Sequence, residues 1–260
     1  MGRLAQTLKP GIVDQYGAWE GRSDQFSDSG LSMIGVPLVA GDKLLGGLEV
    51  GIDHSERRFD EHDANLIDLF AQQAAIAIQN AMLFSEVQRM ATMDSLTGVH
   101  NRRFFFERAQ KELKRSLRYN EPMAILLLDA DHFKAINDQY GHQGGDEALR
   151  ALALACRASV RDFDLVGRYG GEEFVILLPE TNEEGALASA RRLCNAIASL
   201  EVVTERGTIH LTVSVGVATL ETGGGDLERI LDQADQAMYS AKKAGRNQVV
   251  VYPPCLESNP

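Results

Sequence analysis

The sequence from Thr92 onward alternates short apolar runs with longer amphipathic segments, and this alternation is the feature that most constrains the fold. After a first helix, the order of these segments from Met123 onward is βααββαβαβ, which predicts an α/β (α+β) domain with helices on the faces of one sheet. Strands are expected at Met123–Leu128, Leu165–Arg168, Phe174–Leu178, Ile209–Thr219 and Gln248–Tyr252. Helices are expected at Arg102–Leu117, His132–Gln139, Glu147–Ala158, Asn182–Leu200 and Leu227–Lys243.

The first ninety residues have a different pattern. Two apolar runs, Met33–Ala40 and Lys43–Ile52, flank Gly41-Asp42, which predicts an antiparallel hairpin. Residues 60–91 contain no Gly or Pro, and their apolar side chains recur at three- and four-residue steps, which predicts one long amphipathic helix. Its first half is expected to pack on the hairpin. Its second half extends past so small a sheet, and either packs within the chain or forms a parallel two-helix stalk with a second copy, a homodimer.

Composition excludes several classes of function. The chain has 37 acidic and 26 basic residues, a formal charge of −11, which disfavours nucleic acid or an anionic membrane as a partner. The three cysteines, Cys156, Cys194 and Cys255, do not form a C-x-x-C pair. No uninterrupted run of apolar residues reaches the length of a membrane span. A cytoplasmic location is therefore expected, and any membrane anchor would lie outside this sequence.

Two clusters of acidic residues follow predicted strands. Asp129-Ala130-Asp131 supplies carboxylates and a backbone carbonyl, the oxygen ligands that Mg²⁺ prefers, although Asp131 could instead cap the next helix. Gly170-Gly171-Glu172-Glu173-Phe174 could be a hairpin turn with solvated acids. Alternatively, its two glycines let phosphate oxygens approach the backbone while its acids share a metal with Asp129.

Two further clusters fit a nucleotide. Gly141 could follow the end of a helix and Asp146 could be the N-cap of the next. The alternative is a guanine site, in which the amide of Asn137 pairs with the purine acceptor edge and Asp146 accepts N1–H and N2–H. Lys242 and Arg246 near a helix C-terminus could complement the helix dipole or bind a triphosphate.

In this order, these clusters resemble the GGDEF family of diguanylate cyclases. The resemblance covers Thr92–Tyr252 and includes the hairpin Arg168-Tyr169-Gly170-Gly171-Glu172-Glu173-Phe174 in its GGEEF form. The other matching segments are Asp94-Ser95-Leu96-Thr97-Gly98 with Asn101-Arg102-Arg103, Asp129 to Asp138, Gly141-His142 and Gly145-Asp146. The resemblance implies a palm-like nucleotidyl-cyclase fold and condensation of two GTP into cyclic di-GMP and pyrophosphate by two facing subunits.

The resemblance also implies the roles of individual residues. Mg²⁺ (or Mn²⁺) would be bound by Asp129, the Ala130 carbonyl and Glu172, with Glu173 nearby. Glu172 would accept the hydroxyl proton and Lys134 would stabilise the transition-state charge. The substrate would be bound by Phe133, Asn137, His142, Asp146, Gly170, Gly171, Lys242 and Arg246.

Arg161-Asp162-Phe163-Asp164 matches the family's R-x-x-D motif, which implies that cyclic di-GMP is also an allosteric inhibitor. Arg192 is a second expected contact in this inhibitory product site. The alternative is an exposed loop with a local ion pair, which contributes little stability.

Residues 1–85 resemble the C-terminal part of a GAF sensory domain, on the segments Ile34–Leu38, Leu44–Val50, Phe59–Asp63 and Ala74–Leu83. Because the usual first strands are missing, an N-terminally shortened sensor is expected, with an unknown small ligand that Tyr16 and Trp19 could contact. Core packing is the other role open to these two side chains. The expected division is residues 1–85 for the sensor, 86–95 for a helical linker and 92–255 for the GGDEF domain.

Two functions therefore compete. The first is an active diguanylate cyclase, regulated by a signal and inhibited by its product. The second is a catalytically silent module that binds GTP or cyclic di-GMP. The metal and base residues, all present here, favour the enzyme. A nucleic-acid polymerase palm is disfavoured by the acidic charge.

Overall fold

The structure is a computed structural model, and it describes residues 2–16, 32–52, 58–220 and 225–252. The chain divides into two compact units, Met1–Gln88 and Arg89–Pro260. Within the described stretches, no helix combines the length and the apolar composition that a membrane crossing requires.

The first unit is a three-stranded antiparallel sheet with helices α1 (Gly2–Thr7) and α2 (Glu61–Thr92). Its strands are β1 (Gly11–Val13), β2 (Ser32–Ala40) and β3 (Lys43–Ile52), paired in the order β1-β2-β3. The predicted hairpin is confirmed, with Ala40 opposite Lys43 across the turn. Its small core contains the buried side chains Ile34, Val36, Ala64 and Ala71. Helix α1 and strand β1 were not predicted.

Helix α2 is one continuous helix of 32 residues, as the sequence predicted. Its start is fixed by two aspartates that cap each other, because Asp63 N–H donates to Asp60 Oδ1 at 2.9 Å and Asp60 N–H donates to Asp63 Oδ2 at 3.2 Å. Negative side chains there also complement the helix dipole.

The second unit contains a five-stranded mixed sheet in the order β10-β9-β4-β6-β5. Strands β9 and β10 are parallel and the other neighbours are antiparallel. The strands are β4 (Met123–Ala130), β5 (Leu165–Arg168), β6 (Glu173–Pro179), β9 (Val213–Leu220) and β10 (Gln248–Val251). The helices are α3 (Arg102–Tyr119), α4 (Phe133–Ser159), α5 (Glu183–Ala198) and α6 (Leu227–Lys243). A separate hairpin consists of β7 (Val202–Thr204) and β8 (Gly207–Ile209).

Strand β4 is buried along its whole length because helices cover both faces of the sheet. Alternate side chains point to opposite faces. Ala124, Leu126 and Leu128 belong to the cluster that includes α4 and α5. Met123, Ile125 and Leu127 belong to the cluster that includes α3 and α6. This two-sided burial explains the uninterrupted apolar run in the sequence, and the predicted mixed sheet flanked by helices is confirmed.

Two predicted elements were wrong in detail. The predicted break between the helices His132–Gln139 and Glu147–Ala158 is present, but it is a kink at Gly141 (φ 77°, ψ 169°), where two helices join to form α4, and not a loop of several residues. The helix resumes at once, so Asp146 lies within it and is not an N-cap. The predicted strand Ile209–Thr219 is divided between β8 and β9, and the β7–β8 hairpin was missed because its strands have only three residues each.

Candidate active site

The site is organised around the end of β4, where Asp129 lies between two neighbouring strands. Asp129 is opposite Glu173 of β6 on one side and opposite Ser214 of β9 on the other. Its side chain is largely buried, and Oδ2 forms an ion pair with Lys242 Nζ of α6 at 2.8 Å. The strand end therefore combines a fixed carboxylate with one cationic side chain.

The acidic hairpin (Tyr169–Glu173) connects β5 to β6 and delivers both glutamates to the same strand end. Tyr169 N–H donates to the Glu173 carbonyl at 2.8 Å, which closes the turn, and Gly170 N–H donates to it at 3.3 Å. Ala130 N–H donates to the Glu172 carbonyl at 3.3 Å. The two acidic clusters, separated by about forty residues in the sequence, are thus adjacent because of strand pairing.

Negative charge is concentrated around Glu173. Burial raises the pKa of its carboxyl, and the neighbouring charges of Asp129, Asp235 and Glu172 raise it further, while Lys242 lowers it. The oxygen atoms of such a site suit a hard cation such as Mg²⁺. Among the described residues, no three His, Cys, Asp or Glu side chains already form a metal-ligand cluster. The predicted ligand set fits this arrangement, because it contains two carboxylates and a main-chain carbonyl.

Arg168 supports the hairpin from the side. Its Nε and Nη2 donate to the Gly171 carbonyl at 3.1 and 2.7 Å, and its Nη1 donates to Asp94 Oδ1 at 3.1 Å. Asp94 also accepts from the N–H and the hydroxyl of Thr97 at 2.9 and 2.6 Å. Burial raises the pKa of Asp94, but the bonds from Thr97 and Arg168 outweigh it and lower the pKa below its usual value. Sequence reasoning gave Arg168 no role, although both partners lie in matched motifs.

Asp131, two residues beyond Asp129, has a structural role. It is 4 % exposed and accepts hydrogen bonds from the hydroxyls of Thr212 and Ser214, each at 2.7 Å, and from Asn247 N–H at 3.0 Å. The alternative that it caps the next helix was wrong, because His132 occupies the N-cap of α4. Asp131 instead fixes the backbone after α6, next to Arg246.

The kinked helix α4 brings together three of the predicted base-binding positions, Phe133, Asn137 and Asp146. A Cβ on Gly145 would collide with Oδ1 of Asn137 and would lie 3.3 Å from the ring of Phe133, so a side chain there would displace the Asn137 amide. Asp146 follows on the same turn. His142, expected beside them, is exposed and lines a cavity of about 160 Å³ with the β7–β8 hairpin, including Arg206. No sequence pattern pointed to Arg206.

The predicted phosphate-binding cations lie on two helices. Lys134 is exposed in the first turn of α4. Lys242 is in the last turn of α6 and is engaged with Asp129, while exposed Arg246 follows that helix with a left-handed backbone (φ 64°). The structure therefore places Lys242 at the acidic strand end.

The R-x-x-D loop (Arg161–Asp164) precedes β5. Arg161 N–H donates to Asp164 Oδ2 at 2.8 Å, and Asp164 N–H donates back to the Arg161 carbonyl at 3.1 Å. Arg192 Nη2 donates to the Ser159 carbonyl at 3.1 Å, which places the third predicted residue beside the loop. Burial raises the pKa of Asp164, with Arg161 opposing it.

In the first unit, Tyr16 is buried and lines a cavity of about 320 Å³ that also contacts Leu4, Ile34 and Gly35. Trp19, the other side chain expected in a sensory pocket, lies outside the described residues.

The fold and the paired acidic strand ends define a class, that of nucleotidyl cyclases with a palm-like sheet. Comparison with known proteins agrees. The family model described as "Diguanylate cyclase, GGDEF domain" matches residues 91–248, and the model described as "GAF domain" matches residues 1–79. The chain belongs to the GGDEF family, and a GAF domain match precedes its GGDEF domain.

Curated relatives include diguanylate cyclase A of Treponema denticola, 34% identical over 83% of this chain and 58% of that protein. The response regulator PleD of Caulobacter vibrioides is 41% identical over 62% of this chain and 36% of that protein. The chain thus spans between about a third and three-fifths of these two relatives.

Solved structures give the same fold. The GGDEF domain of DgcB from Caulobacter crescentus, in complex with c-di-GMP, is 28% identical with a TM-score of 0.61, over 63% of this chain and 94% of that one. The active GGEEF domain of a diguanylate cyclase from Vibrio cholerae is 35% identical with a TM-score of 0.56, over 59% of this chain and 97% of that one.

Proposed function

We propose that the protein is a diguanylate cyclase that condenses two GTP into cyclic di-GMP with release of two pyrophosphates. The observation that carries this proposal is the pairing of β4 with β6, which sets Asp129 opposite Glu173 and bonds Ala130 to Glu172. Family membership and relatives named diguanylate cyclases support it.

In the proposed site, Asp129, the Ala130 carbonyl and Glu172 would hold Mg²⁺ or Mn²⁺, with Glu173 adjacent. Such a metal would polarise the α-phosphate and lower the pKa of the attacking 3′-hydroxyl. In each half-reaction that 3′-oxygen bonds to the α-phosphorus of the other GTP as the bond to pyrophosphate breaks, and Glu172 accepts the hydroxyl proton.

The remaining residues position the nucleotide. Asn137 and Asp146 read guanine on the kinked face of α4, with Phe133 against the base. Gly170 and Gly171 let the phosphates approach the hairpin backbone. Lys242 and Arg246 bind the terminal phosphates, and Lys134 neutralises charge in the transition state. Because Lys242 pairs with Asp129 in this structure, GTP and metal binding would release it toward the triphosphate.

The test incubates the protein with GTP and Mg²⁺ and measures cyclic di-GMP and pyrophosphate. Glu172→Gln is expected to abolish both products, while Glu184→Gln, the same change on the exposed first turn of α5, is expected to leave the rate unchanged. A dimer that binds GTP but forms neither product would overturn the proposed enzyme activity. The catalytically silent binding module would then be the remaining function.

Two GTP molecules must face each other, so the proposal requires a homodimer, and α2 supplies a surface for it. Eight positions along α2 recur at alternating steps of three and four residues: Leu66, Leu69, Gln73, Ile76, Asn80, Leu83, Val87 and Met90. The six apolar ones are 48–64 % exposed, whereas buried Ala64, Ala71 and Ala75 occupy the opposite face. Such a stripe is typical of a two-stranded coiled coil, in which a single Asn in the seam favours the parallel, in-register pair.

Oxidative cross-linking tests this dimer. Leu83→Cys in a Cys255→Ser background is expected to form a disulfide-linked dimer, because the remaining Cys156 and Cys194 are buried. Ser85→Cys, two residues away on another face, is the control and is expected to remain monomeric on denaturing gels. Equal cross-linking of both variants would contradict the seam.

We further propose that cyclic di-GMP inhibits the enzyme at Arg161, Asp164 and Arg192, which lie beside one another at the R-x-x-D loop. In this proposal residues 1–85 form a sensor for a small ligand of unidentified chemistry, residues 86–95 a helical linker and residues 92–255 the cyclase, acting in the cytoplasm. An enzyme whose initial rate is unaffected by saturating cyclic di-GMP would overturn the inhibitory assignment alone.

A further inference from the structure

The two residues proposed to read guanine lie on opposite sides of the kink in α4. Asn137 belongs to the half of α4 before Gly141, and Asp146 belongs to the half after it. The two halves touch at Asn137 itself, whose amide lies against the backbone of Gly145. A change in the angle of the kink would therefore move the Asn137 amide relative to the Asp146 carboxylate. Because hydrogen bonds weaken steeply when they are misaligned, the recognition of the base depends on this angle.

The backbone of Gly141 does not fix the angle by itself. Its φ of 77° and ψ of 169° form a combination that essentially only glycine adopts. Glycine is also the residue with the greatest conformational freedom, and a kink interrupts the regular hydrogen bonds of the helix. Two helix halves joined at such a residue can change their angle unless another element holds them.

The tip of the β7–β8 hairpin lies on the kink. A Cβ on Gly141 would be 3.0 Å from Nη1 of Arg206 and 3.4 Å from its Cζ, so the guanidinium lies directly against the Gly141 backbone. The first half of α4 ends there, and the partial negative charge of a helix C-terminus favours a cation. The hydroxyl of Thr204 shapes the turn that carries Arg206, because it accepts from Arg206 N–H at 3.2 Å and donates to the Gly207 carbonyl at 2.7 Å.

The β7–β8 hairpin is attached at two further points. Tyr140, the residue before the kink, donates its hydroxyl to the Thr208 carbonyl at 3.1 Å. At the other end of β8, Ile209 is 1 % exposed and belongs to the core cluster that includes α4 and α5. A hairpin with strands of three residues is only marginally stable by itself, so these contacts hold it in place. It therefore connects the core to the kink.

We propose that the β7–β8 hairpin holds the kink of α4 at the angle that guanine recognition requires, and that Arg206 is the positioning residue at this contact. The inference rests on the proposed cyclase function and adds a residue that does not contact the nucleotide. Arg206 acts on Asn137 and Asp146 through the angle between the two halves of α4.

A cation near the site could also attract any nucleoside triphosphate through its charge alone. Inosine triphosphate separates the two effects, because its base lacks the N2 amino group of guanine while its ribose and phosphates are those of GTP. Lost charge attraction raises the KM for both nucleotides equally. A changed kink angle raises the KM for GTP more, because the bond from N2–H to Asp146 exists only with guanine.

The test measures initial rates of pyrophosphate release from GTP and from inosine triphosphate with Mg²⁺. Arg206→Ala is expected to raise the KM for GTP about five- to tenfold and the KM for inosine triphosphate about twofold, with kcat for GTP within about twofold of wild type. Tyr140→Phe, which detaches the hairpin from the helix side, is expected to raise the KM for GTP about two- to threefold. Glu205→Gln, a charge change at the neighbouring turn position, is the control and is expected to change neither KM.

The ratio of the two KM values distinguishes positioning from a general loss of stability, which lowers the active fraction of enzyme and therefore kcat. An Arg206→Ala enzyme with both KM values unchanged, or with both raised by the same factor, would overturn this inference and leave the cyclase function intact. A wild-type chain that releases no pyrophosphate from GTP would overturn the proposed function, and this inference with it.

Discussion

Strand β5 has a charged loop at each end, and the two loops are stabilised in different ways. The acidic hairpin after β5 is bonded to β4 through Ala130 and to Asp94 through Arg168, so its backbone is fixed from two sides. The R-x-x-D loop before β5 closes mainly on itself and leaves Asp164 Oδ1 unpaired. In the proposed function, the fixed hairpin carries the reaction and the R-x-x-D loop binds and releases the product.

The largest effect is expected at the end of β4, where Asp129 lies opposite the acidic hairpin. Asp129→Asn should lower the rate of cyclic di-GMP formation at least about a hundredfold, because it would remove a charged ligand of the proposed metal. Asp138→Asn, an equal charge change on the exposed side of α4, should leave the rate within about twofold. A nearly active Asp129→Asn enzyme would show that the acidic strand end is not the reaction centre.

The next effect tests whether the hairpin is fixed through Arg168. Arg168→Lys keeps the charge but cannot bond Asp94 and the Gly171 carbonyl together, so the rate should fall about ten- to a hundredfold. Arg191→Lys on α5 is the matched control. If the two variants have the same steady-state rate, the Arg168 guanidinium does not fix the acidic hairpin in the way that this comparison of the two loops requires.

At the other end of β5, Asp164→Asn should weaken cyclic di-GMP binding about tenfold while the uninhibited rate stays within about twofold. Asp162→Asn in the same loop should change neither quantity. A lower uninhibited rate in Asp164→Asn would mean that the R-x-x-D loop also supports the reaction centre.

The smallest effect concerns pH. Burial lowers the pKa of His100, and the charges of Arg108 and Arg157 lower it further, against the bond to Thr92. The unfolded chain therefore takes up a proton near pH 6.5 that the folded chain does not, so stability falls as the pH drops through this value and the loss stops below the folded pKa. The decrease in Tm between pH 7.5 and 5.5 should be about one or two degrees smaller in His100→Asn. An identical decrease would contradict this linkage.

Much of the fold was readable from local patterns, and the failures have local causes. The buried strand Met123–Leu128, the long helix α2 and the hairpin around Gly41-Asp42 follow from apolar periodicity and turn chemistry. Gly144 and Gly145 suggested a loop, yet their backbones are helical, because the missing side chains allow Asn137 and Tyr140 to lie against them. Helix propensity is weak compared with such packing.

The sequence by itself identified the acidic residues, the guanine-reading candidates and the family, because these depend on residue types at short spacings. Only the tertiary structure decided that Asp129 faces Glu173, that Asp131 is a buried structural acceptor and that His100 and Asp164 line one cavity. Those relations join segments that are between about forty and a hundred residues apart. Strand register and helix packing set them, and neither is encoded in any single stretch of the chain.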